Sequence, residues 1–243
     1  MQMSQRKNNN PNSHKEYLQQ VSEGETAVIL SELREILARK VSGDIVEFGC
    51  YRGDTSLLIE RILEREFSES PSRLWIYDSF EGLPARTRED ASVAGDDFRQ
   101  GELNVSKREV VERFKKAGLH VPRVRKGFFE NLDDGGVRGF DSFGVSGIDL
   151  ATNDLPSEIA FAFLDGDLYQ SIKTSLELVT PRINRQGGVI LVHDYNNPQL
   201  PGAARAVDAW LAKYSGTKSD FSVGTQKTAP KLQRRESLAI ISW

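Results

Sequence analysis

The chain has one cysteine, Cys50, among 243 residues, so it cannot form an intramolecular disulfide, which fits a reducing compartment. It also lacks an excess of charge of either sign. Its 32 basic and 35 acidic residues leave a formal net charge of −3, giving no strong positive field to attract nucleic acid or an anionic membrane surface. No apolar run approaches the roughly 20 residues of a membrane-spanning helix. The opening "MQMSQRKNNNPN" has no apolar stretch of the kind a secretory leader needs, and residues 1–14 read as a disordered polar tail. No internal repeat is present. These absences lead to the expectation of a soluble, cytoplasmic globular protein, and its length suits a single domain.

What the chain does have is alternation. Val21, Ala27, Val28, Leu30, Leu33, Ile36 and Leu37 give helical periodicity over about 15–41. "DIVEFG" (44–49) is a short strand, and residues 54–67 return to a helix, with Thr55 and Ser56 as reasonable caps. "RLWIYDS" is a second strand ending at Asp78. "SKREVVERFKKAG" (106–118) is a helix with a serine cap and a closing glycine. Strands are expected in "VPRVRKGFF", "EIAFAFLDG" and "GVILVHD", with a helix before Pro181, another near 203–214, and a closing strand in "SLAIISW". Strands apolar on consecutive positions and separated by helices predict an α/β fold, with a mostly parallel sheet buried on both faces. The segment 133–157 is rich in glycine, aspartate and serine and has no period, as expected of a functional or disordered loop.

In such a sheet, ligands bind beyond the carboxyl ends of the strands at the topological switch point. "VEFGCYRGDTS" puts Glu47, Gly49 and Gly53 at the first of these ends. The glycines permit close backbone approach and the following helix offers free N–H groups; a plain strand-to-helix turn is the lesser alternative. The spacing is not the dinucleotide fingerprint. A carboxylate here would repel a pyrophosphate but can meet an ammonium group. Asp78, some thirty residues later, stands where nucleotide sites place an acceptor for ribose hydroxyls, or it caps a turn. An ammonium partner followed by a ribose partner suggests S-adenosylmethionine. "FLDGDLYQS" and "VHDYNNP" end two further strands in Asp165 and Asp167, and in His193 and Asp194. If those strands are neighbours, three carboxylates and an imidazole converge, and their repulsion needs a cation such as Mg²⁺ or Mn²⁺. The imidazole also keeps Fe²⁺ and Zn²⁺ open. The competing view makes Asp165 or Asp167 a helix cap and His193 a core residue.

"IVEFGCYRGDTS", "YDSFEGLP", "KGFFENL", "FLDGDLYQS" and "VHDYNNPQLPGAARAVDAW" together resemble the macrocin O-methyltransferase (TylF-like) family over about residues 20–214. The resemblance implies a class I methyltransferase (Rossmann-like) fold, with a seven-stranded sheet whose last strand pair is antiparallel. It implies S-adenosylmethionine and a divalent metal as cofactors, and natural-product sugars as acceptors. Glu47, Gly49, Tyr51 and Ser56 would lie near the methionine part of the cofactor, Asp78 and Ser79 at the ribose, and Gly127 and Phe128 toward the adenine. Asp165 would border the cofactor and ligate the metal together with His193 and Asp194, and Asp167 would be the general base. Two departures stand out: His193 replaces an aspartate that the family often carries, and the glycine-rich segment is longer than usual. The resemblance allows the N-terminal helices to cover the site or to form a dimer contact. A small-phenol methyltransferase of the catechol type and a non-catalytic cofactor-binding module are the alternative readings.

Overall fold

The computed structural model describes residues 21–94, 98–132, 154–216 and 230–243. The tail 1–14, the first residues of the expected N-terminal helix and positions 133–153 of the glycine-rich segment lie outside them. Seven strands form one sheet: β1 (Asp44–Phe48), β2 (Leu74–Asp78), β3 (Arg123–Lys126), β4 (Ile159–Leu164), β5 (Val189–Val192), β6 (Lys231–Arg235) and β7 (Leu238–Ser242). Their order is β3-β2-β1-β4-β5-β7-β6. β3, β2, β1, β4 and β5 are mutually parallel, while β7 runs antiparallel to both β5 and β6. The order reverses between β1 and β4, which fixes the switch point there.

Side-chain alternation divides the core between the two faces of the sheet. Ile45, Ile76, Phe161, Phe163 and Leu191 meet α1 (Glu23–Ala38), α2 (Asp54–Glu66) and α3 (Lys107–Lys116) through Ile29, Leu33, Ile59, Ile62, Val110 and Phe114. Val46, Phe48, Ala162, Leu164 and Ile190 meet α4 (Tyr169–Val179) and α5 (Pro201–Gly216) through Ile172, Leu176, Ala203, Val207 and Trp210. Each such side chain, fully buried, contributes about 1.5–3 kcal/mol. The all-buried pattern of β4 is therefore the main reason the middle of the sheet holds.

One local expectation is corrected, and one competing view is set aside. Helix α2 is not capped by Thr55 or Ser56; its N-cap is Gly53 in the left-handed conformation, with no side-chain cap. Both residues lie inside the first turn, and the Ser56 hydroxyl turns inward to donate to Glu47. Nor is α4 capped by Asp165 or Asp167. Its first-turn amide, Tyr169 N, donates to Asp90 Oδ1 (2.6 Å) from the segment between β2 and α3. A Cβ on Gly202, in the first turn of α5, would stand 2.0 Å from that same oxygen. Asp90 thus sits between two helix N-termini, where a negative charge is favoured. Arg205 of α5 donates back to the Glu89 and Ala91 carbonyls, and Ser92 Oγ donates to Pro198 O (2.6 Å). Among the described residues no helix is long and apolar enough to cross a membrane.

Candidate active site

Because β4 and β5 are hydrogen-bonded neighbours, the polar residues that end them meet. Asp165 is tied to the end of β1 as well: its amide donates to Phe48 O (2.8 Å), and a Cβ on Gly49 would lie 2.0 Å from Asp165 O. Gly49 has φ +87°, so both the contact and the backbone conformation call for glycine. Tyr51, Phe80, Asp167 and Asp194 also have positive φ, between 46° and 59°. Such strain gathers at strand ends that aim side chains into a site.

A cleft opens beyond these ends, with about 550 Å³ of empty space that includes open solvent at its mouth. Of the expected cofactor residues, Gly49, Tyr51, Asp78, Ser79, Phe128 and Asp165 line it, together with Asp167. Glu47 lies in an adjoining cleft that shares Tyr51 and Asp165 and is bordered by Val21 and Glu23 at the start of α1. Ser56 is fully buried behind Glu47, and Gly127 lines neither cleft. Asp78 holds the turn after β1, accepting from Cys50 N (2.9 Å) and Tyr51 N (3.1 Å) with Oδ2 and from Phe80 N (2.8 Å) with Oδ1. A carboxylate oxygen has lone-pair capacity beyond one such bond, so Asp78 retains room for a hydroxyl donor from the cleft.

Glu47 is buried on β1, on the α1–α3 side. Burial pushes its carboxyl up to about 8 against the Ser56 hydrogen bond, and the charges of Asp165, Asp78 and Asp54 add to the rise. A carboxyl in this condition is mostly protonated at neutrality and gains from an incoming cation. Asp167 makes no hydrogen bond among the described residues. Its carboxyl is also held well above the usual range, by burial first and then by Asp165 and Asp194.

The acidic cluster itself has a core of three residues. Asp165, His193 and Asp194 each offer a ligand atom, all within 4.8 Å of one another. His193 Nδ1 stands 2.8 Å from Asp165 Oδ1 and 3.2 Å from Asp194 Oδ2. Asn197 Nδ2 donates to the other oxygen of Asp194 (2.8 Å), which fixes its orientation. Burial alone would push the imidazole down, but Asp165, Asp194 and Glu25 outweigh it and raise it far above its ordinary value. Glu25, on α1, was not among the expected site residues. Its Oε1 lies 3.4 Å from His193 Nε2, an ion-pair distance without hydrogen-bond alignment. His193 holds the Glu25 carboxyl well below the usual range, against burial and with help from Ser237 and Ser22. Two carboxylates and an imidazole so close, with one nitrogen facing both carboxylates, fit a hard or borderline divalent cation. Sequence reasoning missed Glu25 because a glutamate three residues after Ser22 reads as half of a capping box, which it also is.

A family model described as macrocin-O-methyltransferase (TylF) matches residues 27–138. An 8-demethyl-8-(2,3-dimethoxy-alpha-L-rhamnosyl)-tetracenomycin-C 4'-O-methyltransferase of Streptomyces olivaceus is 31% identical over 166 residues, 66% of this chain and 56% of that one. A demethyldecarbamoylnovobiocin O-methyltransferase of Streptomyces niveus is 31% identical over 189 residues, 75% of this chain and 63% of that one. The chain therefore spans less than two thirds of the length of either relative. Among solved structures, the O-methyltransferase NovP superposes with a TM-score of 0.65 at 23% identity, covering 89% of this chain and 78% of its own. The calicheamicin methyltransferase CalS11 gives 0.61 at 21% identity, covering 92% and 81%. These likenesses, with the sheet order, show the class I methyltransferase fold that the sequence led us to expect.

Proposed function

We propose that this chain, which matches the macrocin-O-methyltransferase (TylF) family model over residues 27–138, methylates a hydroxyl of a sugar or glycosylated natural product, using S-adenosylmethionine and a divalent cation. The observation that carries this reading is the Asp165–His193–Asp194 cluster, whose Asp165 lines the cleft beside Asp167. S-adenosylmethionine supplies a methyl group already activated on a sulfonium, so the protein's task is alignment and a competent oxygen nucleophile. In this reading Glu47 receives the cofactor's ammonium group, Asp78 its ribose hydroxyls, and Gly49 the close passage of its chain. Ser79 and Phe128 form the wall on the Asp78 side. Asp165, His193 and Asp194 would hold the cation, which supplies Lewis acidity at the acceptor oxygen.

The remaining work belongs to Asp167. An alcohol does not ionise unaided near neutral pH, and a carboxylate pushed upward by burial and then by its neighbours is a stronger base than an ordinary one. Asp167 takes the acceptor hydroxyl's proton; the α4 terminus is served by Asp90 instead. The relatives act on a rhamnosyl-bearing tetracenomycin and on a novobiocin precursor, and this motivates the acceptor class.

The test is methyl transfer from S-adenosylmethionine to a panel of deoxysugar glycosides and catechols, with Mg²⁺, with Mn²⁺ and after chelation. Chelator-sensitive turnover of glycosides supports the reading. Turnover indifferent to chelation would refute the cation and leave the His193 imidazolium as the only positive charge within the cluster. Preference for catechols would refute the acceptor class.

A further inference from the structure

The imidazole of His193 can bind a cation through Nδ1 only if the ring's proton resides on Nε2. Nothing in the trio Asp165–His193–Asp194 enforces that: with Nδ1 2.8 Å from Asp165 Oδ1, an Nδ1–H tautomer would be equally well received and would fill the ligand position with a proton. The missing constraint comes from the other side of the ring. Nε2 is buried and has no hydrogen bond among the described residues, and Glu25 Oε1 stands 3.4 Å from it.

Glu25 is unusually well anchored for a glutamate. Its Oε2 accepts from Ser22 N (2.8 Å), its own amide donates to Ser22 Oγ (3.2 Å), and Ser237 Oγ donates to its Oε1. Residues from the start of α1, the end of β5 and the start of β7 therefore meet at one carboxylate. Only about 6% of Glu25 is accessible to solvent, so no water shell competes with the histidine for it. Phe163 packs its ring against the imidazole at 6.1 Å between centroids and limits its rotation.

Resting on the cation reading above, we propose that Glu25 is a positioning residue for the cation site. It accepts the Nε2 proton of His193, fixing the tautomer and the ring plane so that Nδ1 presents its lone pair between Asp165 and Asp194. This is the carboxylate–histidine–metal relationship, here reached from an N-terminal helix rather than from the loops around the cleft. It also gives the departure at position 193 a physical basis: an imidazole can replace a carboxylate ligand here because a second carboxylate stands behind it.

The test is calorimetric titration of the full chain with Mn²⁺ alone, together with pulsed electron paramagnetic resonance of the bound ion for nitrogen coupling. Glu25→Ala should weaken Mn²⁺ binding about 10- to 100-fold and remove the nitrogen coupling, because the two carboxylates alone remain as ligands. Ser22→Ala serves as the control. It removes the serine half of the capping box but keeps the backbone N–H that Glu25 accepts from, so it should lower the melting temperature while leaving Mn²⁺ affinity and coupling unchanged. If Glu25→Ala fails to fold, Glu25→Gln keeps the capping box and loses the charge, and should still weaken Mn²⁺ binding measurably. Equal affinity and coupling in the parent and both Glu25 variants would overturn the positioning role alone. No Mn²⁺ binding to the parent chain would sink the cation reading and this inference with it.

Discussion

In the proposed reading, Glu47 makes the binding of S-adenosylmethionine a proton-linked event. With its carboxyl raised to about 8, the cofactor-free protein at pH 6 carries Glu47 almost entirely neutral. An ammonium group entering the adjoining cleft favours the ionised form, so binding expels the proton. The sign follows directly: affinity rises with pH as long as the free protein must lose a proton to bind, and levels off above the free-state value. For a carboxyl titrating at about 8 in the free protein and well below 6 in the complex, affinity should rise about 50-fold between pH 6 and pH 8, or about 2.3 kcal/mol. Near pH 7 about nine tenths of a proton should leave per cofactor bound. Isothermal calorimetry in buffers of different ionisation enthalpy reads both quantities. Glu47→Gln mimics the neutral form, so it should match the parent within a few-fold at pH 6, fall far behind at pH 8 and lose the proton release. An affinity flat with pH in the parent chain, or proton release unchanged in Glu47→Gln, would refute the placement of the ammonium group at Glu47.

The same buried carboxyl bears on stability: its contribution is fully present below pH 4.5 and declines as pH rises toward about 8, so denaturant unfolding of the apo chain should show a loss over that window which Glu47→Gln flattens. Asp167→Asn should lower turnover by at least 100-fold while leaving S-adenosylmethionine affinity within a few-fold, measured by product formation and calorimetry side by side. Gly49→Ala should destabilise the chain by more than the ~1–3 kcal/mol of a positive-φ residue, because its Cβ meets Asp165 O as well; thermal unfolding checks this. Gly202→Ala should lower stability, and adding Asp90→Ala should recover part of that loss, since the carboxylate 2.0 Å from the new Cβ disappears while Tyr169 N, at 2.7 Å, stays in the way. A non-additivity of about 0.5–3 kcal/mol in urea unfolding is the expected signature.

The elements legible in the sequence were those whose burial forces a pattern. β4 is apolar at every position and β5 nearly repeats it, and their ends carried the polar pairs that the sheet order then brought together. β6 escaped notice: of Lys231–Arg235 only Leu232 is even partly buried, and a charged edge strand has no apolar alternation to read. The misplaced cap at α2 has a local cause. The sequence offers Thr55 and Ser56 as plausible acceptors nearby, while the helix starts from Gly53 with no side-chain cap; at α4 the acceptor is Asp90, 79 residues away. Glu25 was hidden in the same manner, because the contact to His193 spans 168 positions of chain and leaves no local trace.

Asp90 also bears on how this scaffold could be re-engineered. The segment between β2 and α3 borders the cleft through Gly82, Leu83 and Leu103, which makes it a natural unit to transplant between relatives when acceptor choice is to be altered. Yet Asp90 fastens that segment to α4, Arg205 fastens it to α5, and Gly202 keeps the space in which the carboxylate fits. A chimaera that imports the segment alone would set a foreign side chain against two helix ends shaped for an aspartate. The transferable module is therefore discontinuous, a loop together with the opening turns of two helices far downstream, and recombination that respects this boundary should yield folded hybrids where simple loop exchange does not.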